Sequence, residues 1–206
     1  MLKNYKLVFL LLVCLISLLL IGCSESQNNN SSTQFQQDYT SQELIEKINE
    51  DIQFGMSKDD LVDLEGKKPD LDTTNTNDED RGIVYIINVN DTQAYLLYYL
   101  NKNDDLFMIT ISLSDEEETY NAYVDNYKTI HSSLEDVYGA PTKNNDHILN
   151  KDAKNYGYEV YVGNSSYGSG WDLDNVKIDS FMWKLEDTEN IVTQISFQSK
   201  EYVGEI

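Results

Sequence analysis

The 206-residue chain carries 36 acidic against 15 basic residues, a formal net charge of −21, and Arg81 is its one arginine. Such a surface repels phosphate backbones and anionic headgroups, which excludes nucleic acid as a partner and charge-driven docking of the protein face on lipid. Cationic partners, divalent ions or plain solubility are what the acidity can serve.

The first segment has the parts of an export signal: Lys3 and Lys6, then an almost unbroken run of Leu, Val, Ile and Phe from Leu7 to Ile21. That run, about 15 residues, is short for a bilayer span, which needs about 20. It closes on Leu20-Ile21-Gly22-Cys23, which resembles the lipobox of bacterial lipoproteins. The resemblance implies that residues 1–22 are a cleaved signal peptide and that Cys23 becomes the first residue, diacylated on its thiol. Two acyl chains make a stable anchor where one is marginal. Cys14 leaves with the leader and Cys23 is blocked, so no disulfide or cysteine nucleophile is expected. Loss of Lys3 and Lys6 takes the net charge from −21 to −23.

Ser24 to Thr40 is polar and too poor in apolar residues to order itself, so 23–40 reads as the lipidated Cys and a tether with a reach of roughly 23 Å. Thr40 or Ser41 can cap a helix carrying Leu44, Ile45, Ile48 and Ile52 at helical spacing. In Phe54-Gly55-Met56-Ser57-Lys58-Asp59-Asp60-Leu61, Gly55 allows a sharp turn, and Ser57 with Asp60 forms a capping-box pattern. Leu61 and Leu64 read as the buried stripe of this second helix, Gly66 ends it, and Pro69 prevents its continuation. Asp70 to Arg81 is an acidic loop. Strands follow over Gly82–Val89, Thr92–Leu100 and 105–113, with a turn at Asn101–Asp104. Asp115 to Glu118 opens a long helix whose stripe runs from Tyr120 through Tyr127, Ile130 and Leu134 to Tyr138; Gly139 stops it and Pro141 follows.

The hairpin from Leu96 to Ser114 matches Phe181 to Ser199 when a one-residue gap is placed in the turn, aligning Leu100 with Leu185 and Ile111 with Ile195. The chain then divides into units at 41–114 and 115–206. The expected architecture is α+β: tandem helix(-loop-helix) and antiparallel-sheet units, with helices on one face of the sheet. The alignment sets Phe181, Trp183 and Leu185 towards the core, with Leu96, Tyr98 and Leu100. Tyr95, Leu97 and Tyr99 then point away, either covered by another part of the protein or exposed as a docking strip.

Residues Phe54 to Leu61, with Gly66 and Pro69, resemble the Gly-Met-Thr, acid-rich helix and Gly-x-Pro signature of the SmpA/OmlA-like envelope lipoproteins, whose fold is shared with the β-lactamase inhibitor protein. Ser57 stands where that signature has Thr, Lys67 and Lys68 separate Gly66 from Pro69, and no Gly-Met element precedes the helix of the second half. The resemblance implies a non-catalytic envelope protein that works by protein contacts, through a helix-loop-helix set on an antiparallel sheet. Gly55, Met56, Ser57, Gly66, Pro69, Gly139 and Pro141 are then structural.

His131 sits beside an apolar helical stripe and His147 in a polar stretch, without the clustered ligands of a zinc site. No nucleophile elbow, phosphate loop or dinucleotide fingerprint occurs, so neither enzyme activity nor a cofactor is expected. Asp70-Leu71-Asp72 starts like a calcium loop, but Asn75 and Arg81 stand where Gly and Glu belong, so no metal is expected. The Gly163–Trp171 loop mixes Gly and Ser with Tyr167 and Trp171, as adaptable binding loops do. Membrane anchoring through Cys23 and contact with a protein or envelope component outside the cytoplasm is the leading expectation. A soluble-ligand receptor or enzyme inhibitor using that loop is the second. The third, a hydrolase, needs His131 or His147 within hydrogen-bond reach of a Ser, Asp or Glu in a cleft.

Overall fold

The computed structural model describes residues 37–74, 81–113, 119–148, 155–185 and 190–202, all within a compact unit spanning Gln36–Ile206. The leader, Cys23, most of the tether, residues 75–80 of the acidic loop and the acids at 115–118 lie outside these residues.

The chain enters the unit as a short strand, β1 (Gln37–Tyr39). This corrects the tether, which was expected to run unstructured to Thr40. Three specific bonds tie the segment down: Gln37 Nε2 to Glu65 O at 3.2 Å, Asn88 Nδ2 to Asp38 Oδ1 at 2.6 Å, and Asn90 N–H to Tyr39 O at 2.9 Å. Thr40 then caps α1 (Ser41–Glu50), trading hydrogen bonds with Glu43 in a full capping box. That exchange satisfies two of the amides a helix start leaves open. Leu44, Ile45 and Ile48 of α1 are buried.

Ser57 and Asp60 cap α2 (Lys58–Glu65) in the same way, and Gly66 closes it in the left-handed region at φ +65°. Between the helices Gly55 turns at φ +89°, where a Cβ would also stand 2.6 Å from Tyr202 Oη. Its N–H donates to Leu106 O, and Leu106 N–H donates to Met56 O, each at 2.9 Å. The Gly-Met-Ser element is therefore stitched to the sheet. One expectation fails here: Leu64 is only half-buried, and Glu65 takes the core position.

The strands β2 (Leu71–Asp72), β3 (Gly82–Val89), β4 (Thr92–Leu100) and β5 (Leu106–Leu113) precede α3 (Tyr120–Tyr138). Asn101 Oδ1 shapes the β4–β5 turn by accepting from the Asn103 and Asp105 amides at 2.8 and 3.0 Å. After α3 come β6 (Lys143–Asn144), β7 (His147–Ile148), the short α4 (Tyr156–Tyr161), β8 (Ser165–Asp172), β9 (Val176–Lys184) and β10 (Ile191–Ser199). The fold is α+β, with four helices among the described residues and one large sheet in the order β1-β3-β4-β5-β10-β9-β8-β6. The sheet is mixed rather than antiparallel throughout, because β1 runs parallel to β3.

Both hairpins belong to this one sheet, joined where β5 pairs antiparallel with β10 and Ile111 faces Ile195. From that pair the register runs without interruption: Ile111 to Leu96 to Tyr85 on one side, and Ile195 to Ser180 to Ser169 on the other. Leu96 therefore corresponds to Ser180, not to Phe181, and the turn needs no gap. A one-residue slip reverses every side chain of a strand. The face expected for Phe181 and Trp183 is accordingly inverted: Ile178, Ser180 and Met182 are buried, while Phe181 and Trp183 are part-exposed. In β4 the expectation matches, with Leu96, Tyr98 and Leu100 at most 1 % exposed.

Side chains of α1, α2 and α3 meet Tyr85, Leu96, Ile111 and Ile195 in the larger core cluster. A smaller cluster gathers Val124, Tyr127, Val160, Tyr167, Met182 and Ile191. Tyr120, expected on the buried stripe of α3, is exposed, because the stripe is covered only from Val124 onwards. No described helix is long and apolar enough to cross a membrane.

Candidate functional site

Tyr95, Leu97 and Tyr99 occupy the face of β4 opposite the main core. Register sets Tyr95 between Ile86 and Ser112, Leu97 between Val84 and Thr110, and Tyr99 between Gly82 and Met108. On β10 and β9 the same rows continue into Gln194 and Phe181, Ser196 and Asp179, and Gln198 and Lys177. The face is thus aromatic and aliphatic on β3 and β4, mixed on β5, polar on β10, and mixed again on β9, where Phe181 stands beside Asp179. Leu97 is 3 % exposed, Tyr99 is packed against Phe107 with ring centroids 6.4 Å apart, and only Tyr95 is half-buried. As it stands, this row offers one partly accessible phenol and no continuous exposed strip.

The stretch expected to be a loop at Gly163–Trp171 is mostly strand β8. Its glycines serve close packing: a Cβ on Gly168 would lie 2.8 Å from the Phe181 ring, and one on Gly170 would lie 3.2 Å from Asp179 Oδ1. Trp171 is 1 % exposed, and its indole Nε1 donates to Gly139 O at 2.7 Å, satisfying a carbonyl at the end of α3. Tyr167 lies against Tyr127 with centroids 5.6 Å apart. Both side chains belong to the interior, so the adaptable binding loop is corrected to a core strand.

His131 reaches a serine. Its Nε2 is 2.9 Å from Ser169 Oγ, and its Nδ1 is 3.8 Å from Glu135 Oε2. The connectivity is that of nucleophile, base and orienting acid. The surroundings are not. Ser169 is 2 % exposed on the face of β8 turned towards α3. The neighbouring Gly168 amide is taken by Asp146 Oδ1 at 3.0 Å, so it is not free to receive an oxyanion. What the pair does is tie helix to sheet. Around it Tyr127 Oη and Ser180 Oγ are buried short of a hydrogen bond of full geometry, and burial pushes the Tyr127 phenol above its ordinary value, an effect that the nearby Ser169 and Ser180 hydroxyls offset in part. His147 lies apart, exposed on β7 opposite Ser166.

The second polar cluster was not foreseen. Glu65, its side chain fully buried, accepts from Tyr98 Oη at 2.5 Å and from Lys47 Nζ at 2.7 Å through the same Oε1, while Oε2 has no partner. Burial first, and the Glu65 charge second, push Tyr39 up to about 12 and raise Tyr85 and Tyr98 further. Helical spacing carried a signal for this, since Glu65 is four residues beyond Leu61 and so shares its face.

Asp70 and Asp72, the start of the calcium-like pattern, are committed within the chain. Asp70 Oδ2 accepts from Ile86 N–H at 2.7 Å, and Asp72 accepts from Lys58 Nζ and from Thr74. Burial acts to raise the Asp72 carboxyl, but the bonds from Lys58 and Thr74 outweigh it and hold the group below its ordinary value. Comparison of the chain with protein-family models, curated proteins and solved structures returned no match.

Proposed function

We propose that the chain is a lipid-anchored protein of the extracytoplasmic face of the cell membrane, non-catalytic, which binds a protein or envelope component there. The observation that carries the reading is Leu20-Ile21-Gly22-Cys23 at the end of a short apolar run, ahead of a compact unit that begins at Gln36. A thiol is the group in that run able to form a thioether to lipid. The Gly55-Met56-Ser57 element and the stop at Gly66, each with its own hydrogen bonds, support the likeness to the SmpA/OmlA-like group. The finer architecture proposed with it is two tandem units with all helices on one face of the sheet. In its support, the clusters joined by α1, α2, α3 and α4 draw on Leu96, Ile195, Tyr167 and Met182, which alternation puts on one side of their strands.

Labelling cells with radioactive palmitate tests the anchor: the wild-type chain takes up label and Cys23→Ala does not. Equal labelling of the two would end the reading. Of the alternatives, a receptor or inhibitor working through residues 163–171 loses its surface, since Trp171 is interior. A hydrolase has the 2.9 Å His131–Ser169 contact in its favour and the burial of Ser169 against it. A fluorophosphonate probe that labels wild type but not Ser169→Ala would establish the hydrolase in place of the binding protein.

A further inference from the structure

Among the described residues the exposed large apolar side chains are Tyr120, Tyr158 and Val162, at 37 %, 48 % and 39 %. Apolar side chains scattered singly over a surface call for no explanation, but these three are gathered in one place. Tyr120 begins α3, Tyr158 lies within α4, and Val162 follows it. The Tyr120 ring stacks on Tyr161 with centroids 4.4 Å apart and planes at 25°, while Tyr158 stands 6.0 Å from Tyr120 and 6.4 Å from Tyr161.

The cluster is built, not incidental. Gly157 brings α4 so close to α3 that a Cβ there would stand 1.8 Å from Tyr120 O, and the Gly157 N–H donates to Asn121 Oδ1 at 3.3 Å. Asn155 Oδ1 accepts from the Tyr158 amide at 2.8 Å and fixes the start of α4. The rings are therefore held in position before any partner arrives, which removes much of the ordering cost of binding.

An ammonium already uses this surface: Lys184 Nζ lies over the Tyr161 ring, 5.0 Å from its centroid. Aromatic faces attract cations, and the chain as a whole carries a net charge of −21. We infer that Tyr120, Tyr158 and Tyr161 form a docking platform for a lysine- or arginine-bearing segment of a partner protein, with the open face of Tyr158 receiving the cation. Long-range attraction from the acidic surface brings the segment in, and the rings select where it settles. The inference rests on the proposed binding role only for the existence of a partner. Its test is independent of lipidation, so the two can fail separately.

The full chain in detergent micelles is titrated with an oligolysine peptide by calorimetry, alongside Tyr158→Ala and Tyr158→Phe. Neither variant changes charge, and Tyr158 is exposed enough that both should keep the wild-type melting curve. Expected is a loss of affinity of about threefold to tenfold in Tyr158→Ala, with recovery in Tyr158→Phe. Equal binding by Tyr158→Ala would overturn the inference, because bulk charge alone would then hold the peptide. Two other results overturn it as well: a neutral oligosaccharide displacing oligolysine from the rings, or self-association lost in Tyr158→Ala while oligolysine binding stays unchanged.

Discussion

Along the row that crosses the sheet through Ile111 and Ile195, Leu96 and Tyr85 stand on one side and Ser180 and Ser169 on the other. The positions are equivalent and all are buried. In the β3-β4-β5 half the strands supply the bulk and a helix supplies the charge, with Glu65 meeting Tyr98 and Lys47. In the β8-β9-β10 half the strands give hydroxyls, and α3 supplies the bulk through Tyr127 and His131. One scaffold thus accepts opposite divisions of volume between layers. Each half leaves buried oxygens short of a full hydrogen bond: Gln37 Oε1, Glu65 Oε2 and Thr110 Oγ1 in the first, and Tyr127 Oη, Ser165 Oγ and Ser180 Oγ in the second.

The largest expected effect separates the halves by their ionisable groups. A phenol that ionises with more difficulty in the folded chain lends its full contribution below its free value near 10, and loses it as the pH climbs towards the folded value, about 12 for Tyr39. Tyr39, Tyr85 and Tyr98 are held up by burial and also by the nearby Glu65 charge. Stability should therefore fall steeply above pH 10, and proton exchange should show β3 and β4 opening before β9. The second half weakens there too, since burial raises Tyr127 and Tyr167, so the order of opening carries the test: β9 opening before β4 would show that the Glu65 charge is not felt locally. Next in size is Lys47→Met, which leaves Glu65 buried with Tyr98 as its remaining donor. Denaturant unfolding should report a loss of about 3 kcal/mol, the usual cost of stranding a buried charge. The counterpart in the second half, Ser169→Ala, removes one hydrogen bond and should cost about 1 kcal/mol. Equal losses would erase the distinction.

Trp171→Phe comes between these, at about 2 kcal/mol, since the smaller ring leaves a void and strands Gly139 O without its donor. This residue also shows where the sequence could be read and where it could not. Caps and turns are local, so Thr40, Ser57, Gly66 and Asn101 were legible, whereas the core face of β4 came out right only because a slipped alignment and an inverted face for Phe181 cancelled. The glycines around Ser169 were not. Gly168 and Gly170 have the composition of a loop, but they are small because Phe181 and Asp179 of the neighbouring strand lie against them. Nothing within the stretch encodes that neighbour. The repeat misled for a related reason: aligning Leu100 with Leu185 pleased the residue types, while the ladder kept count from Ile111 and Ile195 and put Ser180 where Phe181 was expected. Tyr158 escaped because α4 is too short to show a period.

The smallest expected effect, that of Ser180→Ala, is read against its mirrored partner Leu96. Leu96 and Ser180 occupy equivalent positions, each fully buried. Leu96→Ala should cost about 3 kcal/mol, the transfer loss and the cavity together. Ser180→Ala removes a single oxygen that makes no hydrogen bond of full geometry and stands beside the Tyr127 hydroxyl, so it opens almost no space and relieves much of the cost of keeping a hydroxyl dry. Its expected effect in denaturant unfolding lies between no change and a gain of about 1 kcal/mol. A loss of that size instead would show that the Ser180 hydroxyl is partnered in solution, with Tyr127 Oη the group placed to provide the bond. In that event Tyr127 and Ser180 would satisfy each other within the second half. Its serines would then be chosen for a hydrogen-bonded network between α3 and the sheet, and not merely for the room they leave to Tyr127 and His131.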